Sequence, residues 1–275
     1  MSKERLDAAM VARGLATGRE QAKRSVMSGL VYVNGQKASK ASQPVSETDE
    51  IAVRGDAQPF VSRGGLKLQR AMEVFALDVA GKVCLDIGAS TGGFTDCLLS
   101  HGAKKVYAID VGYGQLDWKL RQDGRVVVME RKNARNMEPS WFSERAEFAC
   151  MDVSFISIRL ILPALLPCLL EGAGVVALIK PQFEAGREKV GKKGVVRDPA
   201  VHEEVILTIM DFARKTGYSV LGLDHSPIKG PEGNVEFLIH LKARAGEGLK
   251  PEEDEETARR VLMHAKAFFD AGGDA

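Results

Sequence analysis

Apolar residues recur along this chain with two different periods, and the change near residue 60 divides it. Before that point Leu6, Ala9, Met10 and Ala12 share one helical face, which predicts a helix over 3–14 stopped by Gly14. Thr17, with Glu20 three residues on, has the form of a capping box and opens a second helix ending near Gly29. Val31, Val33 and the turn Asn34-Gly35 read as a short strand and hairpin, and Ile51 to Val53 as a further strand. The expected unit is a small α+β domain over 1–58, followed by a linker at 59–63.

From Phe60 onward apolar strands alternate with helical stretches, the pattern of a parallel α/β sheet. Strands are predicted at 82–87, 105–110, 125–129, 148–153 and 174–179. Asp198-Pro199 opens a helix that runs to Gly217. The last two strands, 218–223 and 235–241, are joined by a connection too short for a crossover helix, so they should pair antiparallel. The expectation is a Rossmann-like α/β domain over 64–245, with seven strands and the last one antiparallel. An acidic, partly helical tail follows at 246–275.

Composition changes this picture in three ways. Hydrophobic residues at 45% and charged residues at 27% exclude wholesale disorder. The formal charge of +1 argues against a uniformly basic nucleic-acid binder, but it conceals segregation. Residues 1–40 hold eight Lys and Arg against three Asp and Glu, whereas 246–275 hold four against eight. Finally, nothing in the pattern addresses the chain to a membrane. The most apolar run, 160–170, is short, bounded by Arg159 and Glu171, and broken by Pro163 and Pro167. Cys84, Cys97, Cys150 and Cys168 form no C-x-x-C pair and read as buried, reduced thiols of a cytoplasmic protein. The five histidines lack ligand spacing, so no metal is expected.

Candidate chemistry sits at strand ends. After the strand ending at Asp86-Ile87 comes Gly88-Ala-Ser90-Thr-Gly92-Gly93-Phe94, and Asp110 closes the next strand 22 residues after Gly88. A glycine loop with an acid at the end of the second strand is a general nucleoside site, because backbone approaches the ligand and the carboxylate takes ribose hydroxyls. A dinucleotide fingerprint needs a glycine where Ser90 stands. Asp86 before the loop also suits a ligand with an ammonium and a sulfonium, so S-adenosylmethionine is favoured over a nicotinamide. Asn133, after the third strand, falls where adenine contacts are expected. Lys67, Asp152, Lys180 and Glu236 are polar residues out of place in a purely structural sheet. A single such residue is usually just solvated. Asp152 and Lys180 should nevertheless converge beside the glycine loop, at the carboxyl edge of the sheet.

Two resemblances follow. The order R-L-D, G-L, T-x-R-x-x-A-K and G-x-V-x-V-N-G in residues 5–35 resembles the alpha-L RNA-binding module. It implies an RNA-binding face with Arg5, Arg19, Lys23 and Arg24 as phosphate contacts. The whole chain, with S-R-G-G-x-K-L, D-I-G-A-S-T-G-G-F-T, D-V-S-F-I-S, L-I-K-P-Q-F-E and S-P-I-x-G-x-x-G-N-x-E, resembles the TlyA family of FtsJ-like methyltransferases, also called haemolysin A. That resemblance implies a class I methyltransferase fold, S-adenosylmethionine as cofactor, and methylation of cytidine ribose at the 2′ oxygen in ribosomal RNA. Lys67, Asp152, Lys180 and Glu236 match the family's Lys–Asp–Lys–Glu tetrad, which implies Lys180 as proton acceptor or, if it stays protonated, as the group that positions the hydroxyl while the proton leaves to water. Asp86, Gly88, Ser90, Gly92, Gly93, Phe94, Asp110 and Asn133 match its cofactor positions. Arg63 and the loop 184–198, with Arg187, Lys189, Lys192 and Lys193, are further RNA candidates, the loop as a mobile clamp. The short start before Arg5 resembles family members that modify only large-subunit RNA. Two other classes stand against this reading: a non-catalytic RNA-binding assembly factor, and a membrane-active haemolysin, for which no apolar span is found.

Overall fold

A computed structural model describes residues 3–273 except 17, 28, 54–58, 245 and 247, and of residue 24 the backbone alone. Thr17 and the side chain of Arg24 therefore lie outside the described residues. Contacts divide the chain into two compact units, 1–59 and 60–275.

The first unit contains β1 (Glu4–Arg5), α1 (Leu6–Ala12), α2 (Arg19–Met27), β2 (Val31–Val33), β3 (Gln36–Lys37), β4 (Pro44–Val45) and β5 (Ile51–Val53). Helix α1 starts later than its apolar period predicts, because Glu4 and Arg5 pair with Val45 and Pro44 instead of coiling. The Asn34-Gly35 turn is as read: both residues have positive φ, 51° and 78°, which lets β2 turn back on β3. β2 also pairs antiparallel with β5. Leu6, Ala9, Met10, Ala22, Val26 and Val31 close the core between the helices and this small sheet.

The second unit is built from α3 (Gly64–Val74), β6 (Val83–Ile87), α4 (Gly93–Ser100), β7 (Lys105–Ile109), α5 (Trp118–Arg121), β8 (Val126–Met129), β9 (Ala146–Met151), α6 (Leu162–Leu165), β10 (Leu169–Ile179), α7 (Pro181–Glu184), α8 (Pro199–Lys215), β11 (Tyr218–His225), β12 (Phe237–Ala243) and α9 (Asp254–Asp270). Seven strands form one sheet in the order β11-β12-β10-β9-β6-β7-β8. β12 is antiparallel to both neighbours and the other pairings are parallel. Helices α3, α4 and α5 cover one face through Leu68, Leu98 and Leu120, and α6, α8 and α9 cover the other through Leu162, Ile206 and Val261. The carboxyl ends of β6, β7, β9 and β10 therefore open together along one edge.

Three expectations change. The stretch 59–63 is not a free linker: Phe60 is buried and the Val61 amide donates to Asp96 Oδ2 at 2.9 Å, so the second unit begins at residue 60. β10 begins at Leu169 rather than near Gly174, because Leu169 pairs with Ala146 across an irregularity in the ladder. The acidic stretch at the end is no tail. Ala258, Val261 and Ala265 form a buried stripe along α9, and Asp254 is ion-paired with Arg214 of α8. Among the described residues no helix is long and apolar enough to cross a membrane.

Candidate active site

The glycine loop is shaped by what it must lie against. Gly88 has φ +84°, and a Cβ there would stand 2.5 Å from the Asp152 carbonyl oxygen. A side chain at Gly93 would stand 2.4 Å from Ser62 Oγ and 2.8 Å from the Gly65 nitrogen, so α3 packs directly on the loop. Ser90, also at positive φ, donates its backbone N–H to Asp110 Oδ2 at 2.8 Å, and Gly112 N donates to Oδ1 at 2.7 Å. Asn133 caps the turn at Ala134–Asn136, its Oδ1 accepting from Arg135 N. Gly88, Ser90, Asp110 and Asn133 line a cleft of about 760 Å³, within the size range of small-molecule sites. Phe155 and Phe183, whose rings lie 5.2 Å apart, form part of its wall.

Asp86 and Gly92 line neither this cleft nor the smaller pocket beside it. Asp86 lies wholly buried beneath the loop, where Thr95 Oγ1 donates to Oδ2 at 2.6 Å and Oδ1 has no partner among the described residues. Burial pushes its carboxyl up to about 7, although the Thr95 hydrogen bonds oppose the shift. Gly92 caps α4 and faces Leu116 and Leu120.

The four charged residues do meet. Lys67 comes from α3, Asp152 follows β9, Lys180 follows β10 and is held by Pro181 at the start of α7, and Glu236 precedes β12. Lys67 Nζ donates to Glu236 Oε2 at 2.6 Å and to Asp152 Oδ2 at 3.2 Å. Lys180 Nζ pairs with Asp152 Oδ1 at 2.5 Å and donates to Ser154 Oγ at 3.1 Å. Two ammonium and two carboxylate groups thus neutralise one another in a site where Glu236 is only 1% exposed. Burial alone would lower the Lys67 pKa, but Asp152 and Glu236 outweigh it and raise it. Burial would raise Asp152, but Lys67 and Lys180 outweigh it and hold the carboxyl below the usual range. The tetrad lines a pocket of about 230 Å³, with Gly93 and Phe94 also in its wall. This pocket and the larger cleft share Gly88, Ser90, Asp152 and Ser154, so the two adjoin.

The basic candidates are more dispersed. In the first unit Arg5 and Arg19 both bind the buried Asp7, and Lys23 pairs with Glu20. In the second unit Arg63, Arg187, Lys192 and Lys193 are exposed, and Lys189 is paired with Glu204. The loop expected to be mobile is pinned at both ends. Glu184 accepts from Ser157 Oγ and Ile158 N, while Asn234 Oδ1 accepts from Val196 N and its Nδ2 donates to Gly194 O. All four cysteines are free and buried, and burial raises every thiol pKa. Among the described residues no cluster of His, Cys, Asp or Glu is arranged to hold a metal.

The sequence pattern of the FtsJ-like methyltransferases matches residues 60–243, and that of the S4 domain matches residues 4–51. This chain belongs to the FtsJ-like methyltransferases of the TlyA/haemolysin A family. A Bacillus subtilis relative, YqxC, provisionally named an rRNA methyltransferase, is 53% identical over 96% of this chain and 94% of its own. The Mycobacterium tuberculosis protein named 16S/23S rRNA (cytidine-2′-O)-methyltransferase TlyA is 44% identical over 94% of this chain and 97% of its own. A solved structure from Streptococcus thermophilus with a provisional hemolysin name superposes with a TM-score of 0.77 at 49% identity. It covers 99% of this chain and 98% of the other. The methyl donor of this family is S-adenosylmethionine, and the residues present fit it. The side-chain-free approach at Gly88, the acid ending β7 and the adjoining cleft are what a nucleoside-bearing donor requires.

Proposed function

We propose that this TlyA-family chain methylates the ribose 2′-OH of a cytidine in ribosomal RNA, with large-subunit RNA as substrate, in the cytoplasm. The observation that carries the reading is the lysine pocket adjoining the donor cleft at Asp152 and Ser154. The reaction needs a nucleophile held in line with an electrophilic carbon, and a route for one proton. When bound, S-adenosylmethionine supplies a methyl group already activated by its sulfonium. Gly88, Ser90, Asp110 and Asn133 would hold it in the cleft, and Gly93 and Phe94 would form the wall on the acceptor side.

The chain's own work is alignment and proton transfer. Lys180 lines the smaller pocket and is fixed by Asp152 and Ser154, two residues that line both cavities, so a 2′-OH in that pocket would lie beside it. Lys180 aligns the hydroxyl oxygen and either accepts its proton or leaves it to water, with Asp152 balancing the lysine's charge. Lys67, held by Glu236 and Asp152, positions the ribose from the opposite side of Asp152. Holding the hydroxyl at attack distance replaces a bimolecular encounter and supplies much of the acceleration. Arg5, Arg19, Lys23 and Arg24 in the S4 domain, with Arg63, Arg187, Lys189, Lys192 and Lys193, would contact the phosphates. The M. tuberculosis relative is named for cytidine 2′-O-methylation of both 16S and 23S rRNA, which supports the substrate class.

Replacing Lys180 tests the assignment. Lys180→Ala should lower methyl transfer from labelled donor into ribosomal RNA by about 100-fold or more, the size of a lost general base. Donor affinity measured by calorimetry should change less than about threefold. Full activity in the variant overturns the role of the tetrad. Assaying large- and small-subunit RNA separately settles which is modified.

A further inference from the structure

Asp7 is a buried charge that methyl transfer does not use. Its side chain has no exposed surface, yet it lies between two guanidinium groups. Arg5 donates from Nε to Oδ1 at 3.0 Å and from Nη2 to Oδ2 at 2.9 Å. Arg19 Nη2 donates to both oxygens at 3.2 Å. The Arg5 hydrogen bonds first, and Arg19 after them, outweigh burial and hold this carboxyl at about 2, so it stays ionised at any physiological pH.

The three residues come from three elements. Arg5 ends β1, Asp7 lies in the first turn of α1, and Arg19 begins α2. One carboxylate therefore ties the ends of a strand and two helices at a single point. The side chains of Arg5 and Arg19 nevertheless remain 50% and 54% exposed. A free arginine loses much rotamer freedom when it grips a phosphate, and fixing it beforehand removes that cost. Planar guanidinium groups are suited to such a grip, because their donors are arrayed to match phosphate oxygens.

We propose that Asp7 is a positioning residue for RNA: it holds Arg5 and Arg19 as a preformed pair of phosphate contacts. The inference rests on the reading of Arg5 and Arg19 as RNA-binding residues. It also reverses the sign that charge alone would give. The group of three carries a net charge of +1, and Asp7→Asn raises it to +2. Coulomb attraction by itself predicts tighter binding to an RNA polyanion. Loss of positioning predicts weaker binding.

The test uses full-length protein and large-subunit rRNA transcribed in vitro, with dissociation constants measured over a series of salt concentrations. Asp7→Asn should bind about tenfold more weakly than wild type, the cost of ordering two long side chains anew. Arg19→Lys keeps the charge and a donor for Asp7 but loses the planar guanidinium that Asp7 would hold toward a phosphate. It should weaken binding by several-fold while leaving the salt slope unchanged, a pattern not expected of a purely charge-driven contact. If Asp7→Asn binds as tightly as wild type or more tightly, while Arg5→Ala and Arg19→Ala bind weakly, positioning is overturned and the arginine contacts stand. If the two alanine variants bind like wild type, both ideas fall. Should circular dichroism show that Asp7→Asn unfolds the small unit, Arg19→Lys decides, and wild-type affinity in that variant overturns the proposal.

Discussion

Asp86 and Asp152 are both carboxylates at the carboxyl edge of the same sheet, and their surroundings send them in opposite directions. Asp152 faces two ammonium groups and is held below the ordinary range, so it is ionised wherever the enzyme works. Asp86 faces one hydroxyl and apolar packing, and is raised to about 7. Linkage fixes the consequence. A carboxyl whose folded pKa is raised binds protons more tightly in the native state, so its contribution to stability is greatest below the unfolded value near 4. That contribution falls as pH rises from about 4 to about 7. Asparagine at 86 keeps an acceptor for Thr95 and cannot ionise. Asp86→Asn should therefore gain stability relative to wild type as pH is raised from 4 to 8, measured by urea unfolding at each pH. A constant difference across that range would show that Asp86 does not titrate there.

At the scale of elements, α9 turns an apparent tail into part of the fold. Its first turn gathers Asp254, Glu255 and Glu256, where negative charge suits a helix N-terminus, and Ala258, Val261 and Ala265 pack inward. Val261→Asp places an unpaired carboxylate in that contact and should cost about 3 kcal/mol, seen as a lower urea midpoint. Unchanged stability would mean that the helix is not docked in solution. The same element shows where the sequence stops being legible. Ala258, Val261 and Ala265 keep a helical period, but the acids around them read as a solvated face, and a period alone does not say whether a helix docks. Asp152 and Lys180 were legible because each ends a long apolar strand with a charge, and strand ends share one edge. Asp86 was not, because a polar residue inside a strand looks the same whether it faces a ligand or Thr95. Phe155 and Phe183 carry no period that separates a cleft wall from a core. Ser154 lies within a family motif, but its bond to Lys180 depends on a turn that spacing does not specify.

Over the whole molecule, near-neutral charge is a sum of unlike parts. The 1–59 unit holds the basic excess and matches the S4 domain, and the 60–275 unit holds the tetrad and the donor cleft. On the proposed reading, RNA capture and methyl transfer fall to separately packed units of one chain, and the product depends on which RNA atom reaches Lys180. The most direct measurement is to incubate the full-length enzyme with unmodified ribosomal RNA and isotopically labelled S-adenosylmethionine. The RNA is then digested to nucleosides, and the labelled product is identified by mass spectrometry. Wild-type enzyme should yield labelled 2′-O-methylcytidine, and Lys180→Ala none. A base-methylated nucleoside, or equal 2′-O-methylcytidine from both enzymes, would contradict the proposed function.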